Sequence, residues 1–119
     1  MPVMALTKDN FEGVITGHPL TLVDFWAAWC GPCRVFEKIY HDVHEKFPDL
    51  IFGQVDIEKE TELAEAFQIL SIPMLMIFRK NVVVFRESGV LAEPDLIDMI
   101  KKAKSLDDKA IEEIMSRTE

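Results

Sequence analysis

Both cysteines of the 119-residue chain lie in one pentapeptide, Trp29-Cys30-Gly31-Pro32-Cys33, and this feature restricts the fold more than any other. The pentapeptide follows a short apolar run and precedes a long amphipathic segment. Two cysteines at this spacing can close into a small disulfide ring and reopen as two thiols, which makes them a redox couple. Because the chain has no third cysteine, neither can form a disulfide elsewhere in it.

The segments on either side of the pentapeptide predict a strand and a helix. Leu20 to Trp26 is almost continuously apolar or β-branched, as in a strand buried on both faces. The residues after the pentapeptide predict an amphipathic helix of about four turns, which Pro48 ends. Its apolar positions are Val35, Phe36, Ile39, Tyr40, Val43 and Phe47. Leu50 to Ile57 predicts a second strand, and a strand, a crossover helix and a strand favour a parallel pair.

Two shorter helices are predicted outside this unit. Thr7 is placed to cap a first helix that ends near Gly17. Residues from Glu60 to Phe67 carry apolar side chains at helical spacing. The chain then bends at Ser71-Ile72-Pro73, where the residues alone favour the common trans peptide bond before proline.

The second half of the chain predicts a hairpin and further helices. Met74 to Phe78 and Val82 to Phe85 are two apolar runs joined by three residues, as in a β-hairpin. Pro94-Asp95 opens a helix whose inward positions are Leu96, Ile97, Met99 and Ile100. Residues 105–119 form one more amphipathic helix, which starts near Asp107 or continues the helix before it.

These elements predict an α/β fold with a central mixed β-sheet, built of parallel strands and an antiparallel hairpin and flanked by helices. The chain length fits one domain, and no segment has the composition of a long linker. We assign residues 1–104 to this domain. Residues 105–119 are a C-terminal helical extension, packed on the same domain or trailing from it.

The charge and the N-terminal sequence exclude several classes of function. Thirteen basic and 21 acidic side chains give a formal net charge of -8, which opposes binding to nucleic acid or to an anionic membrane surface. The N-terminal residues do not form a signal peptide, and no window reaches the length of a membrane span. We therefore expect a cytoplasmic protein. Thiols are kept reduced there, so we expect a catalytic or metal-binding CxxC rather than a structural one.

The position of the pentapeptide gives its two cysteines different roles. Only a thiolate attacks a disulfide, and a helix N-terminus stabilises a negative sulfur through unpaired N–H groups and the helix dipole. Cys30 lies at the start of the predicted helix and is the expected nucleophile, while Pro32 suits the first turn. Cys33 is one turn further on, and it is the expected resolving thiol that releases the substrate.

Asp24 is the candidate base for Cys33. It is the one carboxylate within the apolar run, and burial among such neighbours raises the pKa of a carboxyl group. The alternative is an edge-strand carboxylate that faces water.

A zinc site is the competing interpretation of the CxxC, because His41 and His44 follow it. Cys33 and His41 are eight residues apart in one predicted helix, which corresponds to about 12 Å along the axis. Ligands of one zinc ion each lie roughly 2 to 2.3 Å from the metal. This geometry favours solvated histidines on a helix face, and we expect neither a metal nor another cofactor besides the redox-active cysteine pair.

The eleven residues from Val23 to Cys33 resemble the active-site segment of thioredoxins, and the order of elements is similar from about Val3 to Ala103. The resemblance implies the thioredoxin fold, with Cys30 as nucleophile, Cys33 as resolver and Asp24 as the buried carboxylate. It also implies a cis bond before Pro73 and an apolar groove for the substrate backbone. The groove residues implied are Trp29, Gly31, Pro32, Ile72, Pro73, Gly89 and Val90.

Three positions depart from the common pattern of the family. Ser71 stands where the family usually has Gly, and Met74 where it usually has Thr, so a bulkier groove wall is expected. Gln54 replaces a lysine found near the buried carboxylate in many members. Without that cation we expect a higher pKa for Asp24 than in a variant with lysine at this position.

The resemblance implies a protein-disulfide reductase that is itself reduced by a flavoprotein thioredoxin reductase, as a monomer or weak dimer. An alternative is a non-enzymatic binding subunit or specificity factor that uses the Pro73 groove and the C-terminal helix. An oxidase or isomerase is a third possibility, and the Gly-Pro between the cysteines disfavours it.

Overall fold

The computed structural model describes residues 2–118, which form a five-stranded sheet flanked by helices on both faces. In chain order the elements are β1 Met4–Ala5, α1 Phe11–Gly17, β2 Thr21–Trp26, α2 Gly31–Lys46, β3 Ile51–Asp56, α3 Thr61–Ala66, β4 Met74–Arg79, β5 Val82–Ser88, α4 Glu93–Ser105 and α5 Asp108–Thr118. The predicted α/β class, with helices on a mixed sheet and an additional C-terminal helix, is confirmed.

The strands are arranged in the order β1-β3-β2-β4-β5. β1, β3 and β2 are parallel, whereas β4 is antiparallel to β2 and to β5. α2 carries the chain back across the sheet, so that β3 runs in the same direction as β2. The short turn after Arg79 reverses the chain, so that β5 runs antiparallel to β4. β2 is therefore the central strand, and its carboxyl end leads directly into the pentapeptide.

β1 was not predicted, because a two-residue strand has too few residues to show a periodicity. Met4 pairs with Gly53 and Ala5 with Gln54, and the side chain of the following Leu6 is buried over β3. A Cβ atom placed on Gly53 would lie 2.8 Å from Cγ of Leu6, so glycine is what allows this close approach.

The sheet separates two apolar cores. On one face, side chains of β2, β3 and β4 pack against α2 and α4; the residues include Leu22, Phe36, Tyr40, Phe52, Leu75, Leu96 and Ile100. On the other face they pack with residues of α1 and of the segment around α3; these include Phe11, Ile15, Val23, Phe25, Val55, Met76 and Phe78. β2 contributes to both faces, which is why its sequence is nearly continuously apolar.

The first helix begins later than predicted. Thr7 is not its N-cap: α1 starts at Phe11, with Asn10 at the capping position. Oδ1 of Asn10 instead accepts a hydrogen bond from the Thr7 N–H at 2.7 Å, which stabilises a turn before the helix. Asn side chains favour such local turns, and this one competes with extending the helix toward Thr7.

The C-terminal segment is a separate helix and does not continue α4. Oδ1 of Asp107 accepts a hydrogen bond from the Ala110 N–H at 2.8 Å and so caps α5. The guanidinium of Arg79 donates to the carbonyls of Ala103 and Leu106, at 3.1 and 2.8 Å, and so ties the end of α4 to β4. α5 then contacts β5, the edge strand. Within residues 2–118, none of the helices combines the length and the apolar character needed to cross a bilayer.

Candidate active site

Cys30 and Cys33 form a disulfide at the start of α2. Their Cα atoms are 5.2 Å apart, within the usual range for a disulfide. Cys30 occupies the N-cap position with an extended backbone, and its Sγ accepts a hydrogen bond from the Cys33 N–H at 3.2 Å. Both cysteines are almost fully buried. The predicted position of Cys30 at the helix N-terminus is confirmed.

This location favours a thiolate at Cys30 when the disulfide is reduced. The Cys33 N–H is one of the N-terminal amides of the helix that have no carbonyl partner within it, and it points at the Cys30 sulfur. α2 is 16 residues long, so its full macrodipole adds to this field. Pro32 in the first turn loses no hydrogen bond, because its position needs no N–H donor.

An open cleft of about 570 Å³ lies beside Cys30 and has a largely apolar lining. The residues that line it are Trp29, Cys30, Gly31, Pro32, Ile57, Ile69, Leu70, Ser71 and Ile72. Four of the expected groove residues, those at positions 29, 31, 32 and 72, are therefore part of it. Pro73, Gly89 and Val90 are not among its lining residues.

Pro73 directly follows Ile72 of the cleft wall, Gly89 is hydrogen-bonded to Pro73, and Val90 is the next residue in the chain. The peptide bond between Ile72 and Pro73 is cis, as the resemblance implied, and the Pro73 side chain is buried. The Gly89 N–H donates to the Pro73 carbonyl at 2.9 Å, and the φ of Gly89 is +91°, a conformation that favours glycine. Cys30 Sγ lies 3.9 Å from the carbonyl oxygen of Ile72. The chain before β4 thus runs directly beside the Cys30 sulfur.

Ile57, Ile69 and Leu70 also line the cleft, and they are not among the groove residues implied by the resemblance. Leu70 is 94% exposed and Trp29 is 67% exposed, so the cleft wall includes two large apolar side chains that face solvent. A signal was present in the Ile69-Leu70 pair, because it follows α3 and belongs to no predicted strand.

Ser71 and Met74, the two groove positions that depart from the family pattern, lie in different surroundings. Ser71 lines the cleft. Met74 does not line it, because its side chain is only 7% exposed and packs in the core with α1. The expectation that Met74 makes the groove wall bulkier is therefore wrong, because its side chain is buried in the core cluster that contains Phe11 and Ile15 of α1.

Asp24 is completely buried in the middle of β2. Its Oδ2 accepts a hydrogen bond from Nε2 of Gln54, the residue opposite it on β3, at 3.2 Å. Its Oδ1 is buried and has no hydrogen-bond partner among residues 2–118. Burial raises the pKa of Asp24 to about 7; the Gln54 hydrogen bond lowers it, and the nearby charge of Glu37 raises it. The alternative of a water-facing carboxylate is wrong.

A second, smaller cleft is lined both by Cys33 and by Gln54, the hydrogen-bond partner of Asp24. Its volume is about 180 Å³, and the side chains of Cys33, Glu37 and Gln54 are among its lining. A space of this size admits water, which needs only about 10–15 Å³. Cys33 and the amide that contacts Asp24 therefore face the same solvent-accessible space.

The two histidines of α2 lie apart from the cysteine pair. Nε2 of His41 is 3.9 Å from a carboxylate oxygen of Glu37, and the His44 ring packs edge-on against Phe52. In the described part of the chain, no group of three or more His, Cys, Asp or Glu side chains is arranged to bind a metal ion.

The sequence and the fold were compared with known proteins. The family model described as Thioredoxin matches residues 2–102. A protein named Putative thioredoxin 2 from Streptomyces coelicolor is 51% identical over 102 residues, which cover 86% of this chain and 76% of that protein. A thioredoxin from Chlamydia pneumoniae is 33% identical over 100 residues, which cover 84% and 97% of the two chains.

Solved structures give the same answer for the fold. Chloroplastic thioredoxin z superimposes with a TM-score of 0.81 at 21% identity, over 89% of this chain and 97% of that one. A mutant thioredoxin from Halobacterium salinarum gives a TM-score of 0.80 at 26% identity, over 89% and 93% of the two chains. Given this likeness and the Cys30–Cys33 pair at disulfide distance, the chain belongs to the thioredoxin family and is a thiol-disulfide oxidoreductase that reduces protein disulfides.

Proposed function

We propose that Cys30 is the nucleophile of this reductase and Cys33 its resolving thiol. In the first step the Cys30 thiolate attacks one sulfur of a substrate disulfide. The substrate S–S bond breaks, a mixed disulfide forms with Cys30, and the other substrate sulfur leaves as a thiolate. The N-terminal amide that points at the Cys30 sulfur supports this assignment, because it stabilises the thiolate.

In the second step Cys33 loses its proton and attacks the Cys30 sulfur. The Cys30–Cys33 disulfide forms, and the second substrate sulfur leaves as a thiolate, so the substrate gains two electrons and the protein loses two. We assign the role of proton acceptor to Asp24, through water in the cleft that Cys33 and Gln54 share. A pKa near 7 suits this role, because the group then accepts and returns a proton at neutral pH.

The substrate is a disulfide-containing protein whose chain lies in the apolar cleft. We assign the binding surface to Trp29, Gly31, Pro32, Ile72, Pro73, Gly89 and Val90. The first four line that cleft, and Gly89 is hydrogen-bonded to Pro73, the residue after Ile72. The oxidised form is then returned to the dithiol by a flavoprotein thioredoxin reductase. The reaction takes place in the cytoplasm, by a monomer or weak dimer, and needs no cofactor other than the cysteine pair.

The observation that carries this proposal is the disulfide between Cys30 and Cys33 at the helix N-terminus and beside the cleft. The test is turnover of a model protein disulfide with a small dithiol supplied, for the parent, Cys30→Ser and Cys33→Ser. We expect multiple turnovers for the parent and none for Cys30→Ser. When the dithiol is removed after Cys33→Ser has been reduced, we expect this variant to accumulate a covalent mixed disulfide through Cys30, detectable by mass spectrometry.

The same assay addresses the binding-subunit alternative. A parent without turnover, or a Cys30→Ser variant that retains it, would overturn the assignment of Cys30. A Cys33→Ser variant that turns over as fast as the parent would remove the resolving role of Cys33.

A further inference from the structure

Leu70 is the most exposed large apolar side chain in the described part of the structure, at 94%. Single exposed leucines are common on protein surfaces and need no explanation by themselves. Leu70 differs because it forms part of the wall of the cleft that contains Cys30, where it is joined by Trp29, Ile57, Ile69 and Ile72. The exposed leucine and the reacting cysteine therefore line the same cleft.

Hydrogen bonds from β5, an edge strand of the sheet, hold the backbone just before Leu70. Arg86 of β5 donates hydrogen bonds to the carbonyls of Phe67 and Gln68, at 2.7 and 2.8 Å. Gln68 has a φ of +52°, which turns the chain sharply at the end of α3. Ile69 then packs partly into the core while Leu70, the next residue, points to solvent. Two hydrogen bonds and a reversed turn thus oppose folding Leu70 inward.

Leu70 also borders a third cleft, of about 480 Å³, whose lining includes neither cysteine. Ala64, Ile69 and Leu70 supply its apolar surface, and Glu65 and Gln68 its polar groups. Ile69 and Leu70 thus line both clefts, and only one of the two contains Cys30. A substrate chain that reaches Cys30 meets Leu70 at the boundary.

We propose that Leu70 determines substrate specificity, by selecting protein disulfides with a bulky apolar side chain close to the attacked cysteine. The proposal rests on the function proposed above, since the occupant is the substrate of Cys30. Any disulfide that Cys30 attacks must bring its flanking residues onto the wall of the same cleft. An extended chain advances about 3.3 Å per residue, so only the few residues nearest the cysteine can reach that wall.

An apolar residue in contact with Leu70 removes surface from water on both partners. If about 40 Å² of apolar surface is buried, kcat/KM is expected to rise about fivefold over that of a serine at the same place. Because this contact lies outside the reacting sulfurs, we expect the gain mainly in KM, with kcat little changed.

The experiment measures reduction of peptides that carry one intramolecular disulfide, with leucine or serine in turn at each of the three positions on either side of the attacked cysteine. The proteins are the parent, Leu70→Ser, the conservative Leu70→Met, and Val35→Ser as a matched control. Val35 is 57% exposed on α2 and lines none of the clefts described above. Thermal melting verifies that each variant is folded.

We expect the parent to prefer leucine over serine about fivefold at one position or more. Leu70→Ser should lose this preference, whereas Leu70→Met and Val35→Ser should keep it. A parent that reduces every peptide equally well, or a Leu70→Ser variant with the parent's preference, overturns the inference and leaves the proposed function intact. A folded parent that reduces neither these peptides nor a small aromatic disulfide overturns the proposed function and this inference with it.

Discussion

Asp24 predicts a specific dependence of stability on pH. The side chain is fully buried, and its pKa is raised from 3.8 to about 7. A raised pKa means that the folded protein binds the proton more tightly than the unfolded chain does. Stability from this group is therefore present below the unfolded pKa and is lost as the pH rises to the folded one. The window lies between about pH 4 and pH 7.

The magnitude follows from the same two values. At 1.36 kcal/mol per pKa unit, the difference corresponds to a loss of about 4 kcal/mol in the free energy of unfolding at pH 8. Asp24→Asn keeps the shape of the side chain and removes its charge. We expect the variant to unfold like the parent at pH 4 and to be more stable by about 4 kcal/mol at pH 8. That gain is a shift of roughly 2 M in the urea midpoint.

The assay is urea denaturation of the oxidised proteins at pH 4, 6 and 8, followed by tryptophan fluorescence and circular dichroism. Oxidised protein is used because the disulfide cysteines do not titrate. Asp42→Asn is the matched control, since Asp42 is an exposed carboxylate on α2. We expect this control not to show the gain of about 4 kcal/mol at pH 8 that Asp24→Asn shows. A stability gain for Asp24→Asn that is the same at all three pH values would refute the reasoning.

Three further outcomes are expected. Gln54→Lys should lower the pKa of Asp24, because a cation replaces the amide 3.2 Å from the carboxylate, and an unchanged or raised value in an NMR titration would contradict this. Gly53→Ala should lower the free energy of unfolding by about 1–3 kcal/mol, because the new Cβ displaces the buried Leu6; an unchanged urea midpoint would show that Leu6 moves freely. Truncation after Lys104 should lower the melting temperature by several degrees, about 5 °C per kcal/mol lost, since α5 packs on β5. It should leave activity on a small disulfide unchanged, and a variant equal to the parent in size, melting temperature and activity would remove both a packing and an association role for α5.

Local patterns in the sequence were enough to predict β2, α2, β3 and the hairpin of β4 and β5. Each of these elements has a recognisable local pattern of apolar residues. In α2 the apolar residues recur at helical spacing, and in β2 they form an almost continuous run. The same reasoning identified Asp24 as a carboxylate within an apolar strand, and the structure confirms its burial. Helix N-termini are also local features, so the position of Cys30 could be predicted from Pro32 and the apolar spacing that follows.

Other features depend on contacts between distant segments. β1 pairs with β3 where Leu6 packs over Gly53, and the residues adjacent to either one in the sequence do not predict this contact. The resemblance implies that Met74 lies in the groove wall, whereas packing with residues of α1 buries it in the core. The start of α1 was mistaken, because the hydrogen bond from Thr7 to the Asn10 side chain favours a turn over a longer helix.

By itself the sequence determined the chemistry of this protein: two thiols at the start of a helix, next to a strand that carries a carboxylate. Only the tertiary structure decided how that chemistry is surrounded. Gln54 meets Asp24 because β2 and β3 are in register, and Leu70 borders the Cys30 cleft because Arg86 holds the loop after α3. These contacts join residues 18 to 40 positions apart, and the packing of the sheet brings them together where no local pattern could.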